Sequence, residues 1–106
     1  WLAGADKKVG LCMDVGHTFR CGVDPVMVAS KYASRLYDIH IKDLNEATAN
    51  GKGAPMGRGV IDIAGLLKTL DKTKYAHHVA LEFEGDTDAV SSIVECIAYE
   101  RGVLAA

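Results

Sequence analysis

A chain of 106 residues and 11.3 kDa, 49% hydrophobic and 25% charged, has the composition of a globular domain and room for one only. Twelve Lys and Arg against fourteen Asp and Glu give a formal charge of -2 with no basic block, which speaks against a nucleic-acid partner or an anionic membrane surface. No apolar run reaches the roughly 18 residues of a membrane span, and the first residues lack the basic, then apolar, then small-residue order expected of a secretory signal. Cys12, Cys21 and Cys96 lack CxxC spacing, so neither a disulfide framework nor a zinc ribbon is expected. The setting read from this is cytoplasmic, with reduced thiols. The first residue is Trp1 and not Met, from which a processing or proteolytic boundary is expected.

In chain order, the apolar segment 9–14 reads as a strand, and Asp24-Pro25 opens a helix through Val26, Met27 and Ala29 towards Ala33, with Asp at the N-cap and Pro at the first helical position. A second strand spans 36–42. A long loop from Asp43 to Gly59 follows, ending in Gly57-Arg58-Gly59 before a helix that opens at Asp62 and carries Ile63, Leu66, Leu67 and Leu70 at helical spacing. The third strand spans 79–84. The last helix carries Ala89, Val90, Ile93, Val94, Ile97 and Ala98, with Gly102 placed to stop it.

This βαβαβα order predicts a parallel α/β sheet with right-handed crossovers. Alternate side chains divide each strand in two: Val9, Leu11 and Met13, then Ile39 and Ile41, then Val79, Leu81 and Phe83 share the face that needs helices. The other face gives Cys12 and Asp14, then Asp38, His40 and Lys42, then Ala80, Glu82 and Glu84. Strands of a sheet covered on both sides read as nearly continuous apolar runs, and these do not. One helix-covered face and one face polar at the strand ends is the pattern of a (β/α)8 TIM barrel. Three units in about 98 residues, roughly 33 each, put eight near 260, close to the usual barrel length of about 250. Residues 1–106 are therefore expected to be a fragment of one TIM-barrel domain, three of its eight βα units; the resemblance described below implies that they are the C-terminal fragment, the last three. A compact three-stranded domain is the alternative, with two open strand edges against it.

Asp14, His40 and Glu82 fall at strand C-termini on the same expected face, and two carboxylates with an imidazole make a metal-site constellation suited to Mn²⁺, Co²⁺, Mg²⁺ or Zn²⁺. His17 follows Asp14 by three, past the flexible Gly16, where it can carry a proton or orient a substrate oxygen. Lys42 shares the face of His40 and can neutralise an oxyanion or bind phosphate; pairing with Glu84 or Asp38 is the alternative. The glycines around Arg58 can present amides to an anion, which places Arg58 among the substrate-binding candidates, and helix entry at Asp62 explains them as well. Phe19, Arg20 and Cys21 are read as continuing the loop, with Arg20 in solvent and contact with a substrate as its alternative. His77 and His78 fall at the opposite end of the sheet, where barrel residues serve stability.

Four segments, Leu11-Cys12-Met13-Asp14-Val15-Gly16-His17, Tyr37-Asp38-Ile39-His40-Ile41-Lys42-Asp43, Met56-Gly57-Arg58-Gly59-Val60-Ile61-Asp62 and Ala80-Leu81-Glu82-Phe83-Glu84, resemble in order and spacing the C-terminal part of the xylose isomerase-like TIM-barrel superfamily. The resemblance implies a sugar or sugar-phosphate isomerase or epimerase working by proton transfer through an enediolate, with an inosose dehydratase-type lyase as the alternative within the superfamily. It implies Asp14, His40 and Glu82 as ligands of one divalent metal, Glu82 also as the proton carrier, and His17 as a catalytic and substrate contact. A fourth ligand, a Glu from an earlier strand, is also implied; residues 1–8 offer only Asp6, so this chain alone is expected to lack part of the site and its turnover. A branch of the superfamily that cleaves abasic DNA needs more rim histidines than are present. A non-catalytic fragment that self-associates through exposed strand edges is the reading outside catalysis.

Overall fold

Residues 1–106 are all described by the computed structural model. After a 3-10 turn at Leu2–Gly4 come β1 (Leu11–Asp14), α1 (Val15–Arg20), α2 (Pro25–Lys31), a 3-10 turn at Ala33–Arg35, β2 (Leu36–Ile41), β3 (Asp43–Leu44), β4 (Gly53–Ala54), α3 (Ile63–Lys72), β5 (Val79–Leu81) and α4 (Ala89–Ala105). The strands β1, β2 and β5 form one parallel sheet in that order, with Asp14 opposite His40 and His40 opposite Ala80. Each crossover moves one strand along in the same direction, as in a barrel wall; a doubly wound sheet reverses its order at the switch point.

The sidedness of the strands follows the sequence at the centre and fades at the edges. Met13, Ile39 and Ile41 are buried in one cluster with Ala29 of α2 and Leu66, Leu67 and Leu70 of α3, whereas Val9 and Val79 at the sheet margins are exposed. The apolar stripe of α3 packs between α2 and α4. Three helices begin as their capping residues require: Asp24 accepts from Val26 N–H at 2.9 Å, Asp62 from Gly65 N–H at 2.8 Å and Asp88 from Ser91 N–H at 2.8 Å.

Four local expectations are corrected. Residues 15–20, read as loop, form α1: the Asp14 carboxylate caps it through His17 N–H at 2.9 Å, and Val15 and Gly16 are buried on its inner face. Gly16 is there for close approach, since a Cβ would stand 2.7 Å from Cδ of Lys42. Arg20 is not in solvent; its guanidinium donates twice to the Gly51 carbonyl, at 2.9 and 2.8 Å, pinning the turn of the β3–β4 hairpin. Gly102 does not end α4, because Val103 beyond it packs against the core and holds the last turn helical.

The outer edges of β1 and β5 carry no strand partner, and α4 turns Val90 and Val94 outward, 72% and 63% exposed. No helix is long and apolar enough to cross a membrane. All three cysteines are free thiols.

Candidate metal centre

The parallel register aligns the C-terminal ends of the strands, and the site grows from that alignment. Asp14 closes β1 opposite His40, and Glu82 lies one residue past β5, its N–H donating to the Ile41 carbonyl at 3.0 Å so that the ladder continues under it. His40 Nδ1 stands 3.4 Å from Glu82 Oε1. The ligand atoms of Asp14, His40 and Glu82 all lie within 4.8 Å of one another, the convergence expected from the sequence.

Lys42 stands among these carboxylates. It is 3% exposed, with Nζ 3.1 Å from Asp14 Oδ2, 2.6 Å from Glu82 Oε2 and 3.5 Å from Glu84 Oε2. Burial works against its charge, but hydrogen bonds to Glu82 and Asp14 outweigh that and hold its pKa above the ordinary lysine value. Burial likewise pushes the Asp14 carboxyl up, while the His17 N–H and then Lys42 pull it further down, so the net direction is below the usual aspartate value. Of the two partners read from the sequence for Lys42, Glu84 is present and Asp38 is not; Asp14 and Glu82 are the closer ones.

The donor set fits a divalent cation: two carboxylates and an imidazole nitrogen on three strands, already gathered around one positive charge. Such an ion would have to share Asp14 Oδ2 with Lys42, because Oδ1 is committed to capping α1. His17 is exposed on the first turn of α1, next to Asp14, whose carboxylate accepts its backbone N–H. Arg58 is elsewhere: its guanidinium pairs with Glu95 of α4, and no ion pair or hydrogen bond joins it to the cluster. His77 packs tilted against Tyr37 and edge-on to Tyr75, with ring centroids at 5.3 and 5.5 Å, and makes no ion pair with the cluster.

The anion that the glycine-rich segment holds is a side chain of this protein. Asp43 is 1% exposed and its carboxylate accepts from four backbone amides: Leu44 at 2.9 Å, Gly57 at 3.0 Å, Gly59 at 3.0 Å and Ile61 at 3.1 Å. A Cβ on Gly59 would stand 2.2 Å from Asp43 Oδ1, so only glycine lets the backbone wrap this close. Reading the sequence locally misses Asp43, because three of its four partners lie 14 to 18 residues away; its one signal is a charged residue directly following a buried strand.

The family described as xylose isomerase-like TIM barrel matches residues 2–100. Among curated proteins, the chain is 30% identical to the rhizopine catabolism protein MocC of Rhizobium meliloti, over 76% of this chain and 29% of that protein. It is 28% identical to an inosose dehydratase of Clostridium beijerinckii, over 76% of this chain and 32% of the enzyme. The chain thus spans about a third of the length of these curated relatives. A solved xylose isomerase domain protein from Planctomyces limnophilus superposes with a TM-score of 0.78 at 21% identity, over 96% of this chain and 40% of its own. A D-tagatose 3-epimerase-like protein superposes with a TM-score of 0.69 at 18% identity, over 93% and 36%. These likenesses carry the fold.

Proposed function

The chain belongs to the xylose isomerase-like TIM barrel family, and from that premise we propose that it forms the last three βα units of a barrel that moves a proton on a small polyhydroxylated substrate, a sugar, sugar phosphate or keto-polyol. The observation that carries this is the convergence of Asp14, His40 and Glu82 at one end of the sheet. These three residues would hold a divalent ion, which when bound supplies Lewis-acid polarisation of a carbonyl and its neighbouring hydroxyl.

The chain's own groups do the rest. Glu82 is oriented by Lys42 on Oε2 and faces His40 with Oε1, so its position is fixed before substrate arrives. It takes the proton from the carbon next to the carbonyl, and the released electron pair moves onto the carbonyl oxygen to give an enediolate. Return of the proton by Glu82 to the neighbouring carbon completes an isomerisation; epimerisation needs a second acid on the opposite face of the carbon, supplied by the rest of the barrel. Loss of a hydroxyl from the next carbon instead gives dehydration, the alternative that relatives named inosose dehydratase favour. His17 at the exposed mouth and the Lys42 ammonium would contact substrate oxygens. Arg58 is committed to Glu95 and is left out of the proposed site.

Two measurements test this. Calorimetric titration of the chain with Mn²⁺ is expected to show one site that weakens in Glu82→Gln, and a ketose or keto-inositol incubated in D₂O with Mn²⁺ and the barrel completed by its preceding βα units is expected to gain deuterium. Unchanged Mn²⁺ binding in Glu82→Gln, or deuterium gain that survives the substitution, overturns the assignment of Glu82. A second reading, self-association as a barrel module, draws support from the unpaired outer edges of β1 and β5. Molar mass rising with concentration in sedimentation supports it, and a monomer throughout dismisses it.

A further inference from the structure

Below the carboxylate trio, on the same face of the sheet, a second trio gathers. Cys12 lies opposite Asp38 in the β1–β2 register, and His40 follows Asp38 by two, so all three side chains leave the sheet on one side. Cys12 Sγ is 3.9 Å from His40 Nε2 and 4.0 Å from Asp38 Oδ2, and Nε2 is 3.8 Å from Oδ2, a nearly equilateral triangle of sulfur, nitrogen and oxygen. Zinc bonds of about 2.3 Å to sulfur and about 2.0 Å to nitrogen or oxygen give tetrahedral edges of roughly 3.3 to 3.5 Å, so the triangle has to close by only about half an ångström.

We propose that Cys12, Asp38 and His40 form a second metal site, selective for thiolate-seeking ions such as Zn²⁺, Co²⁺ or Cd²⁺. Asp38 is prepared for it: Oδ1 accepts the Ile39 N–H at 3.0 Å, which holds the carboxylate and leaves Oδ2 facing the sulfur and the imidazole. No Lys or Arg pairs with Asp38, in contrast to Asp14 and Glu82, which share Lys42. The three groups are partly or fully exposed, so an ion can enter and complete its coordination with water. On binding, the Cys12 S–H gives its proton to solvent and the sulfur lone pair forms the metal bond.

His40 couples this site to the one proposed above. Its Nδ1 faces Glu82 and its Nε2 faces Cys12 and Asp38, and a neutral imidazole has one free lone pair, so the ring serves one trio at a time. Oxygen-preferring ions such as Mn²⁺ and Mg²⁺ select the carboxylate side, and thiolate-preferring ions the Cys12 side. The Cys12 site stands on its own geometry and does not require the catalytic reading to be right.

The reduced chain titrated with Co²⁺ tests the proposal. A near-ultraviolet sulfur-to-cobalt charge-transfer band is expected, saturating at one equivalent, lost in Cys12→Ser and kept in Cys21→Ser, Cys96→Ser and Glu82→Gln. Asp38→Asn is expected to lower Co²⁺ affinity on the order of tenfold, and Zn²⁺ is expected to displace bound Mn²⁺ from the wild type. Cys12 is exposed, so its serine variant should fold, which circular dichroism checks. Absence of the band, its survival in Cys12→Ser, or indifference to both Asp38→Asn and His40→Ala overturns the site. Mn²⁺ binding without a cobalt band overturns this inference alone, and a cobalt band without Glu82-dependent Mn²⁺ binding overturns only the reading under Proposed function.

Discussion

Asp14 divides its two carboxylate oxygens between two tasks: Oδ1 caps α1 through the His17 N–H, and Oδ2 faces Lys42 at 3.1 Å. Asparagine caps helices as well as aspartate does, whereas alanine cannot. Asp14→Asn is therefore expected to keep α1 and weaken Mn²⁺ binding, while Asp14→Ala loses about 1 kcal/mol more stability in denaturant titration. The pH dependence has a definite sign. The folded carboxyl titrates below its ordinary value of 3.8, so its contribution is full above that value and lost as pH falls through the folded one. The stability gap between wild type and Asp14→Ala should accordingly shrink on acidification. At this scale the sequence shows Asp14, His40 and Glu82 through strand parity alone. It conceals the gathering of Cys12 with Asp38 and His40, because the CxxC test looks for neighbours along the chain and the partners of Cys12 are 26 and 28 residues away.

Among elements, α1 is the one hardest to see in advance. Its six residues include Val15, Gly16 and Thr18, all weak helix formers, and six residues are too few for a periodic pattern. It forms because Asp14 caps it, Thr18 Oγ1 bonds the Asp14 carbonyl at 2.7 Å, and Val15 is fully buried. The later helix α3 shows the opposite case, with its cap and its Ile63, Leu66, Leu67 and Leu70 stripe both written locally. On α4, Glu100 Oε1 is buried without a hydrogen-bond partner, and burial pushes the carboxyl above its ordinary value of 4.5. A group with a raised folded pKa favours the folded state below its unfolded pKa and costs stability as pH rises through the folded one. Glu100→Met is expected to raise the unfolding free energy at neutral pH by about 1 kcal/mol in denaturant titration, with the gain closing as pH falls towards 4.5.

At the scale of the whole molecule, extents of 43 × 32 × 19 Å describe a slab whose short axis is about one sheet and one helix thick. That layering was legible in the one-sided polarity of the strands, as was the parallel sheet. The β3–β4 hairpin was not, since it is closed by Arg20 reaching 31 residues along the chain to Gly51. The central strand ties the layers together. In β2 and the two residues after it, Asp38, His40 and Lys42 point to the chemistry, and Ile39, Ile41 and Asp43 to the interior. The segment is thus read in two phases, and losing a single residue exchanges them, bringing Ile39 and Ile41 to the polar side and charge into the core. Deleting one residue at Asp38 is expected to abolish cooperative unfolding and Mn²⁺ binding together, whereas deleting Ala49 from the exposed turn leaves both in thermal melts and calorimetry. Substitutions can separate folding from the proposed metal binding; a one-residue gap in β2 cannot, and insertions and deletions there should be far rarer than exchanges.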